Sequence, residues 1–197
     1  DLAFYSAPNK NDPMFVHLRI KTGININDKI GQIIQSSCNK RLHKGKVYNT
    51  TKLGDLNKKI IIVVDRSIAP NYINTDLSKY INMESSTNTL KSDRYMTIAQ
   101  QNFANPSVIS ATDNTNTLGV DYTDILTYRM VLPDYADFGL STTNPTMEDL
   151  IKNYGVQIIC YAYYQKDQNL EEAEKLFGEF RSGIIPLSKA LTYNKSE

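Results

Sequence analysis

Hydrophobic and polar positions along the chain mark out one strong strand. Residues 60–64 are Ile-Ile-Ile-Val-Val, an unbroken apolar run between a lysine pair and an Asp-Arg pair. Such a short, β-branched run predicts a strand over Lys59–Val64 that is buried on both faces, as in parallel sheets covered by helices. Functional residues of α/β proteins gather at the carboxyl ends of such strands. The first candidates for a site are therefore Val63–Arg66.

The remaining pattern alternates between strand-like and helix-like segments. Strands are predicted at Pro13–Ile20, Leu77–Met83, Asp124–Leu132, Val156–Tyr164 and Gly183–Leu187, and helices at Asn27–Leu42, Ser92–Phe103, Asn144–Asn153 and Leu170–Phe180. A polar region rich in Asn, Ser and Thr, residues 84–121, is predicted to be mostly surface loop. Continuous apolar strands that alternate with helices are typical of the α/β class, here one largely parallel sheet with helices on its outside.

Composition and charge narrow the classes of protein without identifying a function. The 197 residues suffice for one sizeable domain or a large piece of a bigger one. Lys plus Arg number 22 and Asp plus Glu 21, so net charge favours neither nucleic acid nor an anionic membrane as a partner. No apolar run approaches the roughly 20 residues of a transmembrane span. Cys38 and Cys160 lie far apart and are predicted to be buried thiols, which favours an intracellular, cytoplasmic protein.

Residues with an obvious chemical role are few. The sequence contains no Gly-rich phosphate loop, no HExxH, no paired-cysteine metal site and no G-x-S-x-G motif. His17 shares a predicted strand with alternating apolar residues, which favours a packed or hydrogen-bonded role. Tyr161, Tyr163 and Tyr164 could form an aromatic platform for a sugar ring or a base, although alternate positions on a buried strand more often serve packing.

Three segments occur in the order found in one known family. AFYSAPNKNDPMFVHLRIKT is followed by TKLGDLNKKIIIVVDRS and then by YRMVLPDYADFGLSTTNPTMEDLIKNYGVQIICYAYY. In turn they resemble the segments AF…YPVILSLENHC, L.DLKGKILIKNKK and SRIYPKG.R.DSSNYNP..FW..G.Q.VALNFQ of phosphoinositide-specific phospholipase C, from late in its X region through its Y region. The resemblance implies that residues 1–197 are a single segment, the second half of a phospholipase C-like (β/α)8 TIM barrel.

The resemblance also implies which functional positions have changed. In the family, two histidines and most calcium ligands lie on early strands that this segment lacks. No catalytic residue, metal ligand or cofactor is therefore expected, and calcium only if an upstream segment supplies its ligands. The family's calcium-binding glutamate falls on Arg19, and its two phosphate-binding lysines fall on Val63 and Asp65. Arg19 could stabilise phosphoryl charge without a metal, but pairing with Asp65 across neighbouring strand ends is the favoured interpretation.

A few positions remain as candidate substrate-binding residues. The family's substrate-binding serine falls on Ser85 or Ser86, and its arginine on Arg129, or on Met130 if the following proline is aligned. Together with the strand-end arginine and the aromatic positions, the candidates are Arg19, Ser85, Ser86, Arg129, Tyr161 and Tyr163. If they bind anything, the expected ligand is a phosphoinositide or another phosphodiester.

Three hypotheses for function follow from these observations. The leading one is a catalytically degenerate barrel segment that completes a barrel with an upstream segment or partner chain, or that serves as a binding or structural module. The second is an active phosphoinositide phosphodiesterase, a hydrolase whose catalytic histidines lie on a separate N-terminal chain. The third is a structural component of a virion or another assembly, for which the composition rich in Asn, Ile, Lys and Tyr is suggestive.

Overall fold

The computed structural model describes residues 1–20, 26–38, 40–48, 50–85, 97–102, 127–132, 143–154 and 156–192. They belong to two compact units, Asp1–Ile98 and Ala99–Glu197. Strands pair in parallel within these described ranges, and helices lie between them along the chain. The predicted α/β class with parallel strand pairing is therefore confirmed.

The first unit is built around three adjacent parallel strands. Its elements are α1 (Leu2–Ser6), β1 (Met14–Leu18), α2 (Asn27–Cys38), β2 (Ile60–Asp65), β3 (Met83–Ser85) and the start of β4 (Thr97–Asn102), with 3-10 helices at Leu53–Leu56, Pro70–Asn74 and Asp76–Tyr80. Strand β2 is central, because it pairs with β1 from Met14↔Ile60 onward and with β3 up to Asp65↔Ser85. The first residues of β4 continue the parallel pairing beside β3.

Strand β2 is buried along its whole length, as its unbroken apolar run predicts. Ile60, Ile62 and Val64 pack in a hydrophobic core with residues of α1, α2 and the two later 3-10 helices. Side chains alternate across a strand, so Ile61 and Val63 face the other side, and both are buried as well. Polar residues enter this otherwise apolar strand only at its carboxyl end.

Asn82 fixes the position of β3 beside β2. Its buried side chain accepts a hydrogen bond from the Ile62 amide at 2.8 Å and donates to the carbonyl oxygens of His43 and Gly45 at 3.1 and 2.6 Å. Its backbone amide also donates to the Ile62 carbonyl oxygen at 2.9 Å. One side chain thus joins β2, β3 and the loop after α2.

Gly31 allows α2 to lie directly against the 3-10 helix Asp76–Tyr80. A Cβ atom at this position would come within 2.9 Å of the Leu77 backbone nitrogen and 3.0 Å of the Asp76 carbonyl carbon. These are backbone atoms, so the neighbouring element cannot yield by rotating a side chain. Gly178, near the end of a helix in the second unit, has open space around it.

We expect Gly31→Ala to lower the free energy of unfolding by about 1–3 kcal/mol, because the clash outweighs the higher helix propensity of alanine. The matched control Gly178→Ala should instead raise it by about 0.5–1 kcal/mol through the same propensity. Urea unfolding of both variants tests the pair. Equal stabilisation by the two substitutions would contradict the close approach at Gly31.

The second unit contains a shorter described sheet. Beyond the rest of β4, its elements are β5 (Thr127–Leu132), α3 (Met147–Tyr154), β6 (Ile158–Ile159), α4 (Gln168–Phe180) and α5 (Leu187–Thr192). Strands β5 and β6 pair in parallel through Met130↔Ile158 and Val131↔Ile159. Val131, Leu150 and Val156 form a small apolar core with Ile159 packed against it.

Several predicted elements are wrong in type or length. Residues 77–80 belong to a 3-10 helix, so the predicted strand Leu77–Met83 is replaced by the later strand β3. Within the predicted helix Ser92–Phe103, the described residues Thr97–Asn102 form β4, where pairing with β3 overrides helix propensity. The structure describes residues 183–187, and they do not form the predicted strand Gly183–Leu187. Helix α5 begins at Leu187.

The predicted strand Val156–Tyr164 is also much shorter than expected. Only Ile158 and Ile159 are in strand conformation, and both are half-buried rather than buried. The chain turns after Ala162, whose amide donates to the side chain of Asn144 and whose carbonyl oxygen accepts from the Gln165 amide. At Ala162 a side chain thus binds the backbone in place of a neighbouring strand. By contrast, β1, β2, β5 and helices α2, α3 and α4 lie within four residues of their predicted bounds.

Candidate functional site

The carboxyl ends of β1, β2 and β3 bring polar side chains together in the first unit. Side-chain alternation places His17 and Arg19 on the same face as Asp65 and Ser85, opposite the packed helices. This is the edge at which the sequence predicts a functional site. We refer to these four residues as the strand-end cluster.

Arg19 and Asp65 form an ion pair at the centre of the strand-end cluster. The Arg19 Nε atom donates to Asp65 Oδ2 at 2.9 Å, and the Asp65 side chain is fully buried. The second carboxylate oxygen, Oδ1, accepts from the backbone amide and the hydroxyl of Ser67 at 3.1 and 2.6 Å. The predicted pairing is therefore confirmed, and each carboxylate oxygen of Asp65 has its own donor.

His17 and Ser85 are the other half of the strand-end cluster. The His17 Nε2 atom lies 2.7 Å from Ser85 Oγ, so a hydrogen bond connects β1 to β3 across β2. Burial lowers the pKa of His17 to about 4, an effect that the nearby Asp65 carboxylate partly opposes and the Arg19 guanidinium reinforces. The imidazole is consequently neutral at physiological pH. The hydrogen-bonded role predicted for His17 is confirmed.

The lowered pKa of His17 makes stability depend on pH. Below its ordinary value of 6.5, the unfolded chain binds a proton that the folded chain resists until about pH 4. Stability is thus complete above pH 6.5 and is expected to fall by about 2–3 kcal/mol as the pH approaches 4.

The variant His17→Gln cannot titrate, so it should lose this part of the pH dependence in urea unfolding series. Subtracting the free energy of unfolding of His17→Gln from that of the unsubstituted chain at each pH removes the contribution of carboxyl groups, because these titrate in both proteins. His43→Gln serves as the control, because it removes the chain's other histidine and leaves the His17–Ser85 contact intact. Identical pH profiles for the unsubstituted chain and His17→Gln would refute the assignment.

A second polar group lies on the opposite face of the same strand ends. The buried Glu84 carboxylate accepts a hydrogen bond from the Tyr72 hydroxyl and, at 3.2 Å, from Nη1 of the half-exposed Arg66. The Arg66 backbone amide also donates to the Ser85 carbonyl oxygen at 3.1 Å. Glu84 and Tyr72 were not predicted from the sequence, because their contact depends on where β3 begins. In this second group, too, the cation is paired with a carboxylate: Arg66 with Glu84.

The carboxyl end of β6 carries the aromatic residues that the sequence singles out. Tyr163 is 65% exposed, while the hydroxyl of Tyr161 is buried and has no hydrogen-bond partner. Burial raises the pKa of Tyr161, and it raises the pKa of the neighbouring Cys160 thiol to about 11. Both cysteines are free and half-buried. Tyr164 is 62% exposed, so Tyr163 and Tyr164 are both largely exposed and the Tyr161 hydroxyl is not.

Asn144 organises the backbone beside these tyrosines. It is 1% exposed, and its side chain accepts from the Ala162 amide at 2.8 Å and donates to the Gln165 carbonyl oxygen at 3.0 Å. Its own amide donates to Asp167 Oδ2 at 2.8 Å, while Asp167 Oδ1 accepts from the Leu170 amide and caps α4. The turn at Asn144 and Pro145 is thus a structural element.

The sequence-predicted candidates are divided between the two units. Arg19 and Ser85 both belong to the strand-end cluster of the first unit, whereas Tyr161 and Tyr163 belong to the second unit. Ser86 lies outside the described residues. Arg129 lies in β5, but its side chain is outside the described part. No candidate is thereby assigned a ligand.

The strand-end cluster is well suited to holding strands together and poorly suited to proton transfer. A base with a pKa near 4 accepts a proton weakly at neutral pH. Among the residues that the structure describes, no group of His, Cys, Asp and Glu could hold a metal ion. The helices in these described ranges all lack the combination of length and hydrophobicity that a membrane span requires.

Comparison with models of known protein families gives no match, and comparison with curated protein sequences gives none either.

Proposed function

We propose that the chain is a segment of a phospholipase C-like barrel whose phosphodiesterase site is degenerate, and that it serves as a binding or structural module. In this proposal it completes a barrel with an upstream segment of the same polypeptide or with a partner chain. The support comes from the resemblance in sequence order and from the parallel strands β1–β3, whose polar residues gather at their carboxyl ends. The degenerate site is the strand-end cluster.

The ion pair between Arg19 and Asp65 carries the proposal. A phosphate site needs an uncompensated cation or several donors directed at the phosphate oxygens. Here the guanidinium that could supply that charge donates to a fully buried carboxylate at 2.9 Å. A phosphate approaching Arg19 would meet the negative charge of Asp65 and would have to displace it.

The neighbouring residues support the same conclusion. His17 is engaged by Ser85 at 2.7 Å and is neutral at physiological pH, so it offers neither a cation nor an effective base. Ser85 is fully buried, and Val63, on the same face, is apolar. Each residue at these strand ends is used for contact with another residue of the chain.

The test is release of inositol phosphate from phosphatidylinositol vesicles by the purified 197-residue chain, with calcium and with a chelator. We expect no release above a protein-free blank. Acid/base catalysis alone typically contributes about 100- to 10,000-fold to the rate, and His17 is not an effective base at neutral pH. The variants Arg19→Ala and Lys79→Ala are assayed in parallel; Lys79 is also paired with a carboxylate, that of Asp76. Turnover that is abolished by Arg19→Ala and retained by Lys79→Ala would show that Arg19 is catalytic and would overturn the proposal.

A further inference from the structure

Positive charge is concentrated in one segment, although the whole chain is nearly neutral. Residues 40–59, which we call the basic segment, contain six lysines and one arginine but a single acidic residue, Asp55. The rest of the chain has more acidic than basic residues. The balanced net charge therefore conceals a strongly uneven distribution: the net charge of the whole chain favours no anionic partner, whereas the charge of this segment does.

The fold holds the basic segment at the amino-terminal edge of the sheet, opposite the strand-end cluster. Leu42 forms a bridge with Ile60, the first residue of β2, and the Val47 amide donates to the Asn82 carbonyl oxygen at 3.1 Å. At the other end of the segment, the Lys58 amide donates to the Asn11 carbonyl oxygen just before β1. The lysines are thus presented from a backbone tied to three strands.

Exposed apolar side chains lie among these lysines. Tyr48 and Leu53 are 43% and 51% exposed, and both belong to the basic segment. Helix α1 adds exposed Leu2 and Tyr5 beside it, since the Arg41 guanidinium lies 4.5 Å from the centre of the Phe4 ring of that helix. Basic residues that flank exposed aromatic and aliphatic side chains are the combination that binds the interface of an anionic bilayer.

We propose that the basic segment is a docking surface for an anionic membrane. Lysines would be attracted to the surface charge, and Tyr48 and Leu53 would enter the headgroup region. Six of the seven cations are lysine, a point charge suited to a diffuse lipid surface; arginine would be favoured for bidentate contacts to nucleic-acid phosphates and bases. The proposal concerns the opposite edge from the strand-end cluster and does not depend on the proposed function.

Co-sedimentation with vesicles tests the surface in the full chain. Phosphatidylcholine vesicles with roughly one-fifth phosphatidylserine are expected to bind the protein, and pure phosphatidylcholine vesicles are not. Raising the salt from about 0.1 M to about 0.5 M should release most of it, because the Debye length falls from about 10 Å to below about 5 Å. The triple variant Lys40→Glu, Lys44→Glu and Lys52→Glu should bind on the order of 100-fold more weakly.

A second triple variant separates this surface from net charge. Lys166→Glu, Lys175→Glu and Lys189→Glu change the charge equally at exposed positions of the second unit, and they should leave binding within about threefold of the unsubstituted chain. The double variant Tyr48→Ser and Leu53→Ser should bind more weakly at every salt concentration. Equal loss from both lysine triples, equal binding to neutral and anionic vesicles, or binding to single-stranded RNA without binding to vesicles would overturn the proposal.

Discussion

Replacing Arg19 with methionine is expected to lower the free energy of unfolding by about 3 kcal/mol, because it leaves a buried carboxylate without its cation. The Asp65 side chain is fully buried and would lose the guanidinium at Oδ2, while Ser67 would still donate to Oδ1. Asp65→Asn should cost a similar amount or less, since the Arg19 side chain is 16% exposed and can recover some contact with water.

The double variant Arg19→Met with Asp65→Asn tests whether the two side chains act as a pair. Its loss of stability should be smaller than the sum of the single losses by about 2 kcal/mol, which is the coupling expected of a partly buried ion pair. Urea unfolding of the four proteins gives this coupling directly. Additive losses would indicate that the contact contributes nothing, and the interpretation of the strand-end cluster as a structural pair would be wrong.

Asn144→Ala is expected to lower the free energy of unfolding by about 3–5 kcal/mol, which is the second of the two largest effects. The substitution would leave the buried Ala162 amide and the partly buried Gln165 carbonyl oxygen without the side-chain partners described above. Each buried group that loses its partner costs about 1–3 kcal/mol. The turn after β6 and the start of α4 should both be weakened.

Asn169→Ala is the control for Asn144→Ala, because it removes a single contact of the same hydrogen-bond network. The Asn169 side chain is half-exposed and donates to the Asn144 carbonyl oxygen at 2.5 Å, so its removal deletes one contact at the edge of the same cluster. We expect a loss of about 1 kcal/mol or less. Hydrogen exchange of the Ala162 amide, measured in both variants, should speed up strongly only in Asn144→Ala. Comparable losses from the two substitutions would argue against a central role for Asn144.

The sequence predicts well those elements whose pattern is local. Ile60–Val64 could hardly form anything except a buried strand, and its observed bounds, Ile60–Asp65, follow from that run. The Arg19–Asp65 pair was also predictable, because both residues follow the apolar parts of strands that the α/β pattern makes neighbours. Two opposite charges at adjacent strand ends are then expected to form an ion pair.

The failures arise where tertiary contacts decide the outcome. Leu77 looks like part of a strand, but close packing of its backbone against Gly31 of α2 favours a 3-10 helix. The apolar run after Val156 loses most of its strand because Asn144 binds the backbone at Ala162. His17 and Ser85 meet only because Asn82 sets where β3 begins. None of these partners is close in sequence.

Binding of inositol 1-phosphate is the most direct measurement of whether the strand-end cluster is a neutralised site. In isothermal titration calorimetry, the unsubstituted chain should give no saturable heat up to millimolar ligand, and Arg19→Ala should be indistinguishable from it, because Asp65 already occupies the guanidinium. Saturable binding by the unsubstituted chain that Arg19→Ala abolishes and Lys79→Ala preserves would contradict this, and would identify Arg19 as a phosphate-binding residue.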